Sequence, residues 1–152
     1  MSKHKLITIG LVIILVAIAS VIAWPLYRDR NLVKTKDVNL TPEAQAIYQQ
    51  RESDAQKQIS ELKDNDDDGL FIAYLSLARA QFSLGQLNDA KKSYQKAIQT
   101  GASQNYLVAN AWYELSTVLK AMNDSAGAKA ALDKAISMDP HNDTFLNARS
   151  AN

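Results

Sequence analysis

The chain has 152 residues, a formal charge of +1, two histidines and no cysteine. That length holds one modest domain and an appendage. The missing thiols exclude disulfides, thiolate metal sites and a cysteine nucleophile, and the near-neutral balance gives no electrostatic ground for a nucleic-acid partner.

The charge is uneven along the chain. Residues 1–40 hold six Lys/Arg against Asp29 and Asp37, a net of +4, and residues 41–152 hold eleven against fourteen Asp/Glu, a net of −3. The basic excess flanks an uncharged run, Leu6–Trp24. At helical rise this run reaches about 28 Å, the thickness of a hydrocarbon core. Trp24 and Tyr27 suit an interfacial aromatic belt, and Pro25 suits the helix exit. Residues 1–27 are therefore expected to form a single transmembrane anchor. A cleaved signal peptide ending at Val21-Ile22-Ala23 is the rival, but the apolar run is longer than a signal core. Arg28, Arg30, Lys34 and Lys36 outnumber Lys3 and Lys5, which favours a cytoplasmic C-terminal side. Lys3 and Lys5 abutting the run at the N-terminus favour export of the chain beyond it. The second consideration is given more weight, so the rest of the chain is expected on the extracytoplasmic side.

Residues 28–40 are polar and aperiodic, a linker. Thr41 as cap, Pro42 at the first helical position and Glu43 in the first turn then start a helix over 41–64. Its apolar residues Ala44, Ile47, Tyr48, Ala55, Ile59 and Leu62 recur at helical spacing. It ends in "DNDDDG", Asp64–Gly69, which spells the first half of a helix–loop–helix calcium loop with Asp64, Asp66 and Asp68 as ligands. The bidentate glutamate such a loop needs at its twelfth position is Leu75 here. The competing reading is an acidic turn in which Asp68 caps a helix beginning near Leu70.

Two stretches then align at an offset of 38 residues, one from Phe71 and one from Ala109. Tyr74 pairs with Trp112, Leu77 with Leu115, Ala78 with Ser116 and Gly85 with Asn123. Ala90 pairs with Ala128, Tyr94 with Leu132 and Ala97 with Ala135. No alternating strand pattern occurs after the linker, so the fold expected there is all-α.

Each stretch resembles a tetratricopeptide repeat: an aromatic, a Leu three on, a small residue, a turn Gly, then Ala-xxx-aromatic-xx-Ala. The second copy closes with Pro140, replaces the turn Gly by Asn123 and has Leu132 where an aromatic is usual. The resemblance covers residues 71–142 and implies two α-hairpin repeats, 70–104 and 105–142. About three repeats are normally needed for stability. The 41–64 helix, whose Ala55, Ile59 and Leu62 mirror Ala90, Tyr94 and Ala97, and a short helix over 143–150 are expected to cap the ends. The second copy's first helix is expected to start early, near Gln104.

The resemblance also implies function. Such scaffolds bind a protein or peptide on a concave face lined by the first helix of each pair. Matched residue by residue, that face is Ile72, Leu75, Arg79 and Phe82, then Asn110, Tyr113, Thr117 and Lys120. The expected protein-binding set is Arg79, Phe82, Asn110, Tyr113, Thr117 and Lys120. Ile72, Leu75 and Phe82 are expected instead to pack on the 41–64 helix. Leu75 and Arg79 stand where the family's carboxylate-clamp version needs Lys and Asn, so a chaperone-tail clamp is not supported. Catalysis is not expected: His4 lies by the apolar run, His141 lies in a turn, and no phosphate loop or nucleophile elbow is present. No cofactor is expected. The leading expectation is a membrane-anchored scaffold for another protein. A calcium-responsive switch and a non-catalytic subunit of a membrane-bound enzyme are the alternatives.

Overall fold

The computed structural model describes residues 39–62 and 66–151, all within a unit spanning Thr35–Asn152. The apolar run Leu6–Trp24 and Asp64 lie outside the described residues. Among those described, no helix is long and apolar enough to cross a membrane.

The described helices, in chain order, are α1 (Pro42–Glu61), α2 (Asp67–Ser83), α3 (Leu87–Thr100), α4 (Asn105–Ala121), α5 (Ser125–Met138) and α6 (Asp143–Ser150). Each packs on its neighbours in sequence, α1 on α2 and so on to α5 on α6. α2 with α3 and α4 with α5 are the two hairpins of the repeats, and α4 starts beside Gln104 as its pattern predicts.

The turns inside the hairpins share one geometry. Gly85 at φ 75° and Asn123 at φ 61° both take the left-handed conformation, which Asn tolerates among side-chain-bearing residues. In each, the next amide closes back on the preceding helix, Gln86 N–H to Gln81 O at 2.8 Å and Asp124 N–H to Leu119 O at 2.9 Å.

Small residues set the spacing of the helices. Ala78, Ala90, Ala97, Ala109, Ala111 and Ala135 are all fully buried, which lets helix axes approach closely. Phe71, Leu75, Tyr94, Val108, Leu115, Val118 and Leu119 fill the main core around them. Burying a phenylalanine such as Phe71 contributes about 1.5–3 kcal/mol. A second cluster, Ala109, Leu132, Ala135 and Phe145, attaches α6 to the second hairpin.

α1 joins the first repeat through polar contacts as well as Ala55. The buried Ser93 hydroxyl donates to Gln81 Oε1 at 2.7 Å, and Gln81 and Gln86 donate in turn to Glu52 on α1. Ala55 is buried, Ile59 and Leu62 are half-buried, and Ile47 is exposed. α1 thus packs against the first helix of the first repeat.

Two expectations at the start of α2 need correction. The helix begins at Asp67 rather than near Leu70, and its cap is Asp66, whose carboxylate accepts from Gly69 N–H at 2.9 Å. Asp68 is not the cap. It lies in the first turn and accepts from Ser103 N–H and Oγ–H, both at 2.7 Å. All of Asp66, Asp67 and Asp68 favour a helix start, so residue type alone could not choose between them. The same device opens α5, where Asp124 accepts from Gly127 N–H at 2.9 Å. Asp66→Ala and Asp124→Ala should each lower stability by about 1 kcal/mol in urea unfolding.

Candidate functional site

Between α1 and α2 lies a groove of about 500 Å³. Tyr48, Arg51, Asp54 and Gln58 line it from α1, and Ser76, Arg79 and Ser83 from α2. The Arg51 guanidinium lies 5.6 Å from the centre of the Tyr48 ring, a cation–π contact that holds both side chains at the rim. Asp54 accepts from Gln50 Nε2 at 2.8 Å.

Arg79 reaches this groove already engaged. Its Nε donates to Glu114 Oε2 at 2.8 Å and its Nη2 to Glu114 Oε1, a bidentate pair from α2 to α4. The hydroxyl of the buried Tyr94 on α3 donates to Glu114 Oε2 at 2.9 Å. One carboxylate thus fastens three helices from both repeats. The Glu114 hydrogen bond holds the Arg79 guanidinium above its usual pKa. Burial, then the Glu114 charge, pushes the Tyr94 phenol well above its usual value, so it remains a donor.

The other matched positions are split. Tyr113 stacks on Phe145 of α6, ring centres 5.1 Å apart, and Phe82 packs half-buried on the main core. Asn110 is half-buried, while Thr117 and Lys120 are exposed. Leu75 is buried in the main core. Ile72, expected to pack on α1, is 56% exposed. Phe71, Ala73, Leu75, Leu77, Ala78, Ala80 and Gln81 of α2 are buried, whereas Ile72 shares the exposed stripe of the helix with Ser76 and Arg79.

Sequence reasoning does not point to Glu114 and Tyr94 as partners of Arg79. A usable signal exists: one repeat on from Arg79 is Thr117, and Glu114 lies one turn before it. Neighbouring first helices running side by side set such positions opposite one another.

The acidic motif has a structural occupation. Asp66 caps α2, Asp68 is bound by Ser103, and Asp64 lies outside the described residues. Gly69 is a helical residue, whereas a calcium loop needs its glycine for a sharp turn. An added Cβ at Gly69 would meet Asp66 Oδ2 at 2.5 Å, so the glycine leaves room for the capping carboxylate. No group of three or more His, Asp or Glu residues placed to hold a metal occurs among the described residues.

Hydrogen bonds from the Ser103 amide and then its hydroxyl hold the Asp68 carboxyl below its usual pKa. A depressed folded value contributes stability above the unfolded pKa of about 3.9, lost as pH falls through the lower, folded one. Asp68→Asn should therefore be less stable than wild type at neutral pH. That difference should close in acid-unfolding curves as Asp68 protonates.

A second, smaller crevice of about 280 Å³ lies at the far end of the repeats. Lys120 of α4, Ser125, Ala128, Lys129, Leu132 and Asp133 of α5, and Arg149 of α6 line it.

Stacked hairpins with a shared left-handed turn, alanine-spaced helices and an open groove define a helical repeat scaffold. The chain belongs to the tetratricopeptide repeat-like family: the model of the tetratricopeptide repeat-like domain matches residues 2–147. No curated protein and no solved structure matches the chain.

Proposed function

We propose that this protein is a membrane-anchored scaffold that holds another protein during assembly of a membrane or envelope complex. The observation that carries the reading is the α1–α2 groove, about 500 Å³ of surface lined by Arg51 and Arg79 beside the two-repeat stack. Repeat domains of this kind act by presenting such surfaces rather than by chemistry of their own. The anchor is Leu6–Trp24, whose length and lack of charge match a bilayer core. Lys3 and Lys5 before the run favour a repeat domain on the extracytoplasmic side.

The test is a photo-crosslinking amino acid at Ser76, exposed in the groove, in the full chain expressed in native membranes. A discrete adduct that disappears with Arg51→Glu supports the scaffold reading. A chain that extracts without detergent, or shows no adduct at Ser76 or Tyr48, ends it. Protease protection in sealed vesicles reports the side of the membrane: digestion only after permeabilising right-side-out vesicles overturns the extracytoplasmic assignment.

A further inference from the structure

The polar lining of the α1–α2 groove is only partly used by the chain itself. Arg79 is engaged by Glu114, and Asp54 accepts from Gln50 Nε2. Arg51 differs: among the described residues no acid pairs with it, and its guanidinium contacts the Tyr48 ring. A guanidinium laid against an aromatic face keeps its N–H donors, which lie in its own plane, for a planar acceptor such as a carboxylate. The Gln58 amide and the Ser76 and Ser83 hydroxyls also line the groove, and none of the three makes a side-chain hydrogen bond among the described residues.

The groove has two unlike ends. Ile72, Ser76, Arg79 and Ser83 recur at helical spacing along one side of α2. Glu52 accepts from Gln81 and Gln86, which sets the neighbouring Arg51 beside the C-terminal end of α2. Ile72 stands at the other end, one turn before Ser76 and largely exposed. From Ile72 to Ser83 is three turns of helix, about 16 Å. The surface thus offers an apolar side chain at one end, hydrogen-bonding groups along its length, and at the other end a cation without an acidic partner among the described residues.

These groups favour one form of occupant. A helix satisfies its own main chain and would cover Gln58, Ser76 and Ser83 without bonding them, at a cost for each polar group left buried and unpaired. An extended peptide brings main-chain N–H and C=O groups that need such partners. In that form a chain covers about 16 Å in about five residues. We infer that the α1–α2 groove takes an extended segment of a partner protein, with an aliphatic side chain against Ile72 and a carboxylate on Arg51 about five residues away. Arg51 stands on α1, outside the family-matched face of α2 and α4, so the repeat resemblance does not imply this contact. The inference rests on the scaffold reading and names the chemistry of the segment held.

The probes are fluorescein-labelled peptides of about ten residues, too short to be helical alone. Each carries one leucine and one glutamate, in either order, in a serine- and alanine-rich background, at spacings of about two, five or eight positions. Fluorescence anisotropy is measured on the full chain in detergent micelles. The expected result is saturable binding, tightest at the spacing of about five. It should weaken about tenfold when lysine replaces the glutamate, and equally in the Arg51→Ala variant. N-methylation of the peptide main chain, which removes its donors, should cause a like loss. Ser76→Arg, at an exposed position in the groove, should abolish binding at an unchanged melting temperature. Equal binding of the lysine or N-methylated peptide overturns the proposal. So does unchanged affinity in both variants, absence of binding, or self-association of the chain that occupies the groove. An adduct at Ser76 in native membranes with no probe binding ends this inference and leaves the scaffold reading standing.

Discussion

Glu114→Ala is expected to destabilise the repeat stack by about 2–3 kcal/mol, because it strips a charged acceptor from two donors at once. The Tyr94 hydroxyl lies in a residue only 2% exposed, so it cannot turn to water when its acceptor is gone. Arg79 is half-exposed and rehydrates, so its share is smaller. Glu114→Ala should therefore exceed Tyr94→Phe, which removes the buried donor together with its need, and Arg79→Ala should cost at most about 1 kcal/mol. Urea unfolding of the three variants gives the order directly. An Arg79→Ala loss matching that of Glu114→Ala would show that the exposed ion pair, not the buried phenol, sets the cost.

Phe145→Ala is the other large effect, about 3–5 kcal/mol if the second hairpin and α6 unfold together. Phe145 is 1% exposed, and packs with Ala109, Leu132 and Ala135 while its ring stacks on Tyr113. α6 has eight residues, too few to be helical alone, and Phe145 is its one buried side chain. The variant should therefore release α6, seen as fast amide exchange over residues 143–150 and faster exchange at the outer face of α5. Retention of slow exchange in α6 would place its stability in the Asn142 cap, which accepts from Thr144 N–H at 3.1 Å.

Much of this architecture can be read from residue spacing. Ala78, Ala90, Ala97 and Ala135, aligned by the repeat, are the fully buried contact points. Gly85 and Asn123, aligned at the turn, share one backbone conformation. These features depend on local geometry repeated at a fixed interval, so spacing reveals them. The Arg79–Glu114–Tyr94 clasp depends on three helices meeting, and side chains 20 and 35 residues apart carry no local mark of it. The start of α2 is obscured for another reason: three consecutive aspartates offer equivalent caps, and only the contact with Ser103 separates Asp68 from Asp66. The candidate binding face is legible as positions but not as availability. Arg79 and Tyr113 occupy family-matched places, yet their polar and aromatic surfaces are engaged within the chain.

The neighbour-to-neighbour packing of α1 through α6 has a mechanical consequence. Helices that touch chiefly their sequence neighbours form a zipper, and a zipper opens from its ends. Tension applied at the N-terminal end of α1 would peel α1 from α2 while the α2–α3–α4 block, riveted at Glu114, stays shut. The α1–α2 groove sits on that first seam. A pull from the N-terminal side of α1 would therefore distort the groove before it loosened the rest.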